Sequence, residues 1–205
     1  MIAWAGWQVE LASPQIDESI LDNEMALDYV KRIAVLKASK RIDQAQPDDF
    51  IIAADTIVVN KGKILGKPAD TRSALDMLSE LRDRTHWVIT ALAVRKTRER
   101  KPFTDICHSK VNMRAYTDAE MRDYIESGDP FDKAGAYAIQ DPVFRPALDF
   151  RGCFASVMGL PLCHLERTLR KYSGYSGTEW AKYCQKELKY ICPITHRVMA
   201  GEDIG

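Results

Sequence analysis

The chain has no net charge, no long apolar run and no even set of cysteines, and each shortage excludes a class of protein. Its 29 basic and 29 acidic residues cancel, which argues against a broad nucleic-acid or acidic-membrane surface while leaving room for a local phosphate pocket. No apolar stretch is long enough to span a bilayer. Met1–Trp7 lacks the basic start and longer apolar core of a signal peptide, so a cytoplasmic location is expected. The five cysteines (Cys107, Cys153, Cys163, Cys184 and Cys192) are odd in number and irregularly spaced, the pattern of free thiols in a reducing compartment. No internal repeat is evident. What remains is an ordinary globular composition, 46% hydrophobic and 28% charged over 205 residues. That length suits one α/β domain or two small lobes with a sizeable core.

Helical and strand periods alternate along the chain. Ala26, Val30, Ile33, Ala34 and Lys37 share one face of a helix over 26–40. Lys37 thus points the way of the apolar stripe, either as a snorkelling edge lysine or as a cation aimed into a cleft. Residues 51–59 form a strand, and Asn60-Lys61-Gly62-Lys63 supplies turn chemistry before a short extended Ile64-Leu65. Asp70 or Thr71 caps a helix carrying Ala74, Leu75, Leu78 and Leu81. Strands are expected over 87–94 and 103–114, joined by an exposed charged connection at 95–101. Thr117-Asp118-Ala119-Glu120 has the form of a capping box, opening a helix that ends near Gly128. Pro161 sits in the first turn of a last core helix through Arg170. The alternation predicts an α/β layered fold with a mixed sheet. Ser173-Gly174-Tyr175-Ser176-Gly177 reads as a linker to a helix from Thr178, with Trp180, Cys184, Leu188 and Ile191 on one side. Cys184, Cys192 and His196 do not have the spacing of a zinc module, so this extension reads as a packing appendage.

The strand Ile51-Ile52-Ala53-Ala54-Asp55-Thr56-Ile57-Val58-Val59 is interrupted by an acid and a hydroxyl. A buried carboxylate needs a charged neighbour or a chemical task, and Gly66-Lys67-Pro68 offers a partner soon after. The competing reading is an aspartate at a strand edge that caps a turn.

Seven segments in one order decide between these readings. They are Pro14–Glu18, Tyr29–Ala34 with Lys37-Ala38, Ala54-Asp55-Thr56, Gly66-Lys67-Pro68, Thr85–Thr90, Asp132–Gln140 and Gly159-Leu160-Pro161. Together they resemble the Maf family of nucleoside triphosphate pyrophosphatases from about Gly6 to Arg170. The resemblance implies a Maf/ITPase-like elongated mixed β-sheet flanked by helices, with a central cleft. It also implies hydrolysis between the α and β phosphates with a divalent metal cation (Mg or Mn), and a possible homodimer. By resemblance Asp55 is the general base, Glu18 and Asp55 are metal ligands, and Lys37 and Lys67 hold the phosphates. The residue chemistry agrees, since a triphosphate needs cations and a hard metal needs carboxylates. Burial would raise the Asp55 pKa while metal and lysines would lower it. Thr56 and Gln140 look like the branch acting on dTTP and UTP, where a hydroxyl and an amide can hydrogen-bond a pyrimidine edge. Alternatives are a 7-methyl-GTP pyrophosphatase and a nonhydrolytic nucleotide-binding or septation-regulating protein.

The resemblance divides the chain into a Maf-like domain over 1–172 and a helical extension over 173–205. It departs from the family at the start. Family members open with a strand and a Ser-x-Ser-Pro-Arg-Arg loop, and this first strand and phosphate loop are missing here. Leu11-Ala12-Ser13-Pro14 is a decoy, because Gln15-Ile16-Asp17-Glu18 follows it and matches a later segment. Either a longer protein begins upstream of Met1, or the chain binds nucleotide without efficient catalysis. Ala91 and Ser156 stand where the family usually has Gly and Asn.

Overall fold

The computed structural model describes residues 1–40, 45–175, 177 and 179–204. Five strands, β1 (Phe50–Asn60), β2 (Lys63–Leu65), β3 (Thr85–Lys96), β4 (Phe103–Met113) and β5 (Ala147–Leu148), form one sheet in the order β2-β1-β3-β4-β5. Helices α1 (Ala26–Lys40), α2 (Thr71–Leu81), α3 (Asp118–Glu126), α4 (Phe154–Val157), α5 (Leu162–Ser173), α6 (Trp180–Leu188) and α7 (Thr195–Met199) flank it. The α/β layering expected from the sequence is present. The mixed sheet is not what these strands make: every pairing among the described residues is antiparallel. Short connections set two of the four pairings. Lys61 and Gly62, both at positive φ, close a two-residue hairpin between β1 and β2, and 97–102 closes another between β3 and β4.

Local chemistry sets the element ends. Asp70 and Thr117 both form reciprocal capping boxes, with Ser73 and Glu120 respectively. Pro161 is the N-cap of α5, and that helix runs past Arg170 to Ser173, where Gly174 at φ 66° ends it. The first residue of the expected linker is therefore helical. The expected helix start at Thr178 lies outside the described residues. In α6, Trp180, Cys184 and Leu188 pack against Leu165 and Leu169 as anticipated. Ile191 does not join them and is 88% exposed, because Lys189 turns into the left-handed region and ends the helix first.

The sheet has two unlike faces, set by the two-residue period of the strands. Ile57, Ile89, Ala91 and Ala93 face α1 through Val30, Ile33 and Ala34. The opposite face carries Ile52, Leu92 and Val94 under α5, and Val58 and Val88 under the 134–139 segment and α2. On its outer side β1 pairs with β2 only over Val58–Asn60. Among the described residues no strand borders the outer edge of Phe50–Ile57, and a cavity of about 770 Å³ runs along it between Gln8–Ala12 and Lys37. Trp7 closes one end, packing on Phe50, Tyr175 and Trp180 with ring centroids 6.0, 5.3 and 4.8 Å away.

The segment Lys133–Gln140 lies against β1 only because Gly135 has no side chain. A Cβ there would stand 2.9 Å from Val58 Cγ2, and its φ of 70° lies in the left-handed region. Gly135→Ala is expected to lower stability by roughly 1–3 kcal/mol through strain and overpacking. A urea titration reads this as a lower midpoint at unchanged slope, and an unchanged midpoint would contradict the packing described.

Candidate active site

Helix α1 and strand β1 bring a lysine between two carboxylates. Lys37 Nζ lies 2.7 Å from Asp55 Oδ1 and 2.9 Å from Glu18 Oε1. Tyr29, Ile33 and Lys37, four residues apart, form one stripe of α1, so the helix that packs on β1 carries the ammonium to Asp55. Lys37 is thus the cation aimed into the site, and the snorkelling alternative falls away. Glu18 reaches the cluster from a loop tied down by α1: Tyr29 donates its hydroxyl to Glu18 O at 2.9 Å, and Arg32 Nη2 donates to Ser19 O at 2.8 Å. Arg32 is itself fixed by Glu24 through bonds of 2.6 and 2.7 Å. These two anchors stood in the matched 29–34 segment without an assigned role. The i, i+3 spacing of Tyr29 and Arg32 was the available signal.

Burial governs the ionisation of this cluster. The Asp55 side chain is 11% exposed, and directly opposite it on β3 stands the fully buried Ala91. Burial pushes the Asp55 carboxyl above its ordinary value; Lys37 pulls against this, Glu18 adds to it, and Lys67 pulls it down from a greater distance. Lys37 is also shifted up: burial works against its charge, but the two carboxylates outweigh burial. The directions differ in meaning because Asp55 faces one close cation and one like charge, whereas Lys37 faces two opposite charges. Burial, with the Asp55 and Glu18 charges, pushes the Tyr29 phenol up and keeps it a donor.

Lys67 is exposed in the loop from β2 to α2, and that loop is tied to the far face through a Gly135 N–H to Gly66 O bond of 3.0 Å. Thr56 does not share the Asp55 face. Its hydroxyl meets Thr90 Oγ1 at 2.9 Å, and Thr90 donates to Ser156 O at 2.8 Å, so the Thr56 proton points inward to Thr90. A Cβ on Gly159 would lie 3.6 Å from Thr56 Oγ1, so Thr56 supports the turn before α5. Gln140 is exposed just after a pinned segment. Tyr124 holds that segment by accepting from Ala138 N at 2.9 Å, and Tyr137 meets His86 Nε2 at 2.7 Å. Burial lowers His86 to about 4, so its ring is neutral at pH 7.

The geometry thus unites Glu18, Lys37 and Asp55, sets Lys67 within electrostatic reach, and separates Thr56 onto the opposite face. His196, the histidine of the extension, is exposed on α7, and no helix among the described residues is long and apolar enough to cross a membrane.

The chain is similar to known proteins over most of its length. The Maf family profile, described as Maf-like protein, matches residues 1–172. The chain is 38% identical over 177 residues to the dTTP/UTP pyrophosphatase of Dictyoglomus turgidum, covering 86% of this chain and 91% of that protein. It is 38% identical over 171 residues to the dTTP/UTP pyrophosphatase of Geotalea uraniireducens, covering 83% and 88% respectively. With the protein of that name from Dehalococcoides mccartyi strain CBDB1 it shares 43% identity over 141 residues, 67% of this chain and 63% of the relative. On the reach of that profile and the extent of these alignments, the chain belongs to the Maf family.

Proposed function

We propose that this chain hydrolyses dTTP and UTP to the nucleoside monophosphate and pyrophosphate, with Asp55 as general base. The observation that carries the reading is the buried Asp55 carboxylate, raised in pKa and held by Lys37 beside Glu18. A base is effective when its pKa approaches the working pH, and burial moves Asp55 in that direction. Asp55 takes a proton from water, and the water oxygen attacks the α phosphorus. The bond from that phosphorus to the α–β bridging oxygen breaks, and pyrophosphate leaves. Lys37 and Lys67 stabilise the charge on the phosphate oxygens.

The donor set fits a divalent cation of the Mg²⁺ or Mn²⁺ type. Two hard carboxylates converge on Lys37, each with one oxygen as its nearest contact, and neither Asp55 Oδ2 nor Glu18 Oε2 has a hydrogen bond among the described residues. Charge points the same way: Glu18, Asp55, Lys37 and Lys67 sum to zero, too little to hold a triphosphate unaided. Glu18 and Asp55 would hold the ion, which when bound neutralises phosphate charge and lowers the pKa of bound water.

For the base, Gln140 supplies an exposed amide at the end of a segment pinned by Tyr124 and Tyr137, suited to a pyrimidine edge. Thr56 acts behind the site as a positioning residue. The names of the relatives support dTTP and UTP over 7-methyl-GTP. In direct competition, dTTP and UTP are expected to be consumed at least about tenfold faster than 7-methyl-GTP. A preference for 7-methyl-GTP would overturn the substrate assignment, and nucleotide binding without turnover would favour the nonhydrolytic reading.

A further inference from the structure

A second cluster of chemically capable side chains lies on the opposite face of the sheet. Thr56, Thr90 and Cys107 are successive cross-strand neighbours on β1, β3 and β4 and form one row. Cys107 Sγ, Cys153 Sγ and an imidazole nitrogen of His164 lie within 4.8 Å of one another, and all three residues are buried. Cys192, buried nearby, directs its thiol to Gly152 O at 3.7 Å and stands outside this group of three. The three residues come from β4, the turn before α4, and α5, so only the fold assembles them.

Two buried polar atoms here have no partner. His164 is 0% exposed, its Nε2 engages Ile204 O at 2.8 Å, and its Nδ1 bonds to nothing. An Nε2–H donating to that carbonyl leaves the Nδ1 lone pair facing inward, the arrangement by which a backbone carbonyl orients a metal-binding histidine. Ser156 Oγ is likewise buried and unpartnered, on a residue whose backbone N–H bonds Cys153 O at 3.0 Å. Orphaned buried donors and acceptors are rare enough to need a cause.

We propose that Cys107, Cys153 and His164 form a three-ligand binding site for Zn²⁺. Two sulfurs on one tetrahedral zinc stand about 3.7 Å apart at ordinary bond lengths, within the spread of these donors. Each thiol loses its proton to solvent as the metal binds, while the imidazole binds neutral. Because His164 also engages Ile204 O at 2.8 Å, the ion would help fasten the end of the extension onto the Maf-like domain. It would also fix Cys153 and hence the α4 turn, whose Ser156 carbonyl holds Thr90 and, through it, Thr56 behind Asp55. The spacing of Cys184, Cys192 and His196 held no sign of it, since none of those three belongs to the group.

Titration of the metal-free full chain with Co²⁺ tests the site. Thiolate ligands give near-ultraviolet charge-transfer bands that carboxylates such as Glu18 and Asp55 cannot, and a tetrahedral site gives strong visible bands. The expected result is both band sets saturating at one equivalent and displaced by Zn²⁺. Cys153→Ser should weaken binding at least about 100-fold, and Cys184→Ser, a buried cysteine outside the cluster, should leave it intact. If Cys153→Ser does not fold, Cys107→Ser takes its place and should cut the charge-transfer intensity by about half. Zn²⁺ should also raise the melting temperature of the native chain. Absence of thiolate bands, bands unaffected by these cysteine substitutions, or a Cys107–Cys153 disulfide in place of metal would overturn the proposal.

Discussion

Asp55→Asn is expected to lower turnover of dTTP at least about a hundredfold, because it removes the proton acceptor. Its effect on stability should run the other way. A carboxyl whose folded pKa lies above its unfolded value favours folding below the unfolded value and loses that contribution as pH rises through the folded one. At neutral pH the Asp55 charge therefore opposes folding, since burial is the largest influence on it. The neutral asparagine removes that cost, so the melting temperature should be unchanged or higher. Lys37 keeps Glu18 at 2.9 Å as a counter-charge in the variant. Activity lost together with a collapsed melting temperature would mean that Asp55 is structural.

Lys37→Met should be nearly as damaging and should fail in a different way. It removes the cation 2.7 Å from Asp55 Oδ1 and leaves two carboxylates facing each other. With the main influence lowering its pKa gone and Glu18 still raising it, Asp55 must titrate higher. The acid limb of kcat/KM should move to higher pH, and kcat/KM near neutrality should fall roughly 100- to 1,000-fold as phosphate stabilisation is lost as well. Lys37→Arg should recover part of the rate and return the acid limb toward its original position. An acid limb that does not move in Lys37→Met would show that Asp55 is not the group titrating.

Much of this arrangement is legible in the chain. The 3.6-residue period over 26–40 and the apolar run over 51–59 give α1 and β1 nearly to the residue. Lys37 on the apolar stripe and Asp55 inside the strand were both visible, but the partner the sequence offered for Asp55 was Lys67, whereas Lys37 is the cation that closes on it. The direction of the Asp55 shift could not be anticipated, because it depends on how far Ala91 and the α1 face exclude water. Thr56 lies apart from Asp55 for a geometric reason. Adjacent strand residues point to opposite faces, so the neighbour of Asp55 is the residue least able to share its surroundings. The thiol and imidazole cluster was illegible because its three members span 107–164 and share no spacing. The strand directions escaped as well, since alternation of helices and strands does not separate hairpin pairing from crossover pairing.

Hydrolysis of dTTP in ¹⁸O-labelled water with Mg²⁺, followed by ³¹P resonance of the products, tests the central claim most directly. Attack on the α phosphorus with Asp55 as base predicts dTMP carrying the label and pyrophosphate free of it, at a rate that Asp55→Asn abolishes. Label in pyrophosphate, release of dTDP and inorganic phosphate, or the same labelled products at an undiminished rate from Asp55→Asn would contradict it.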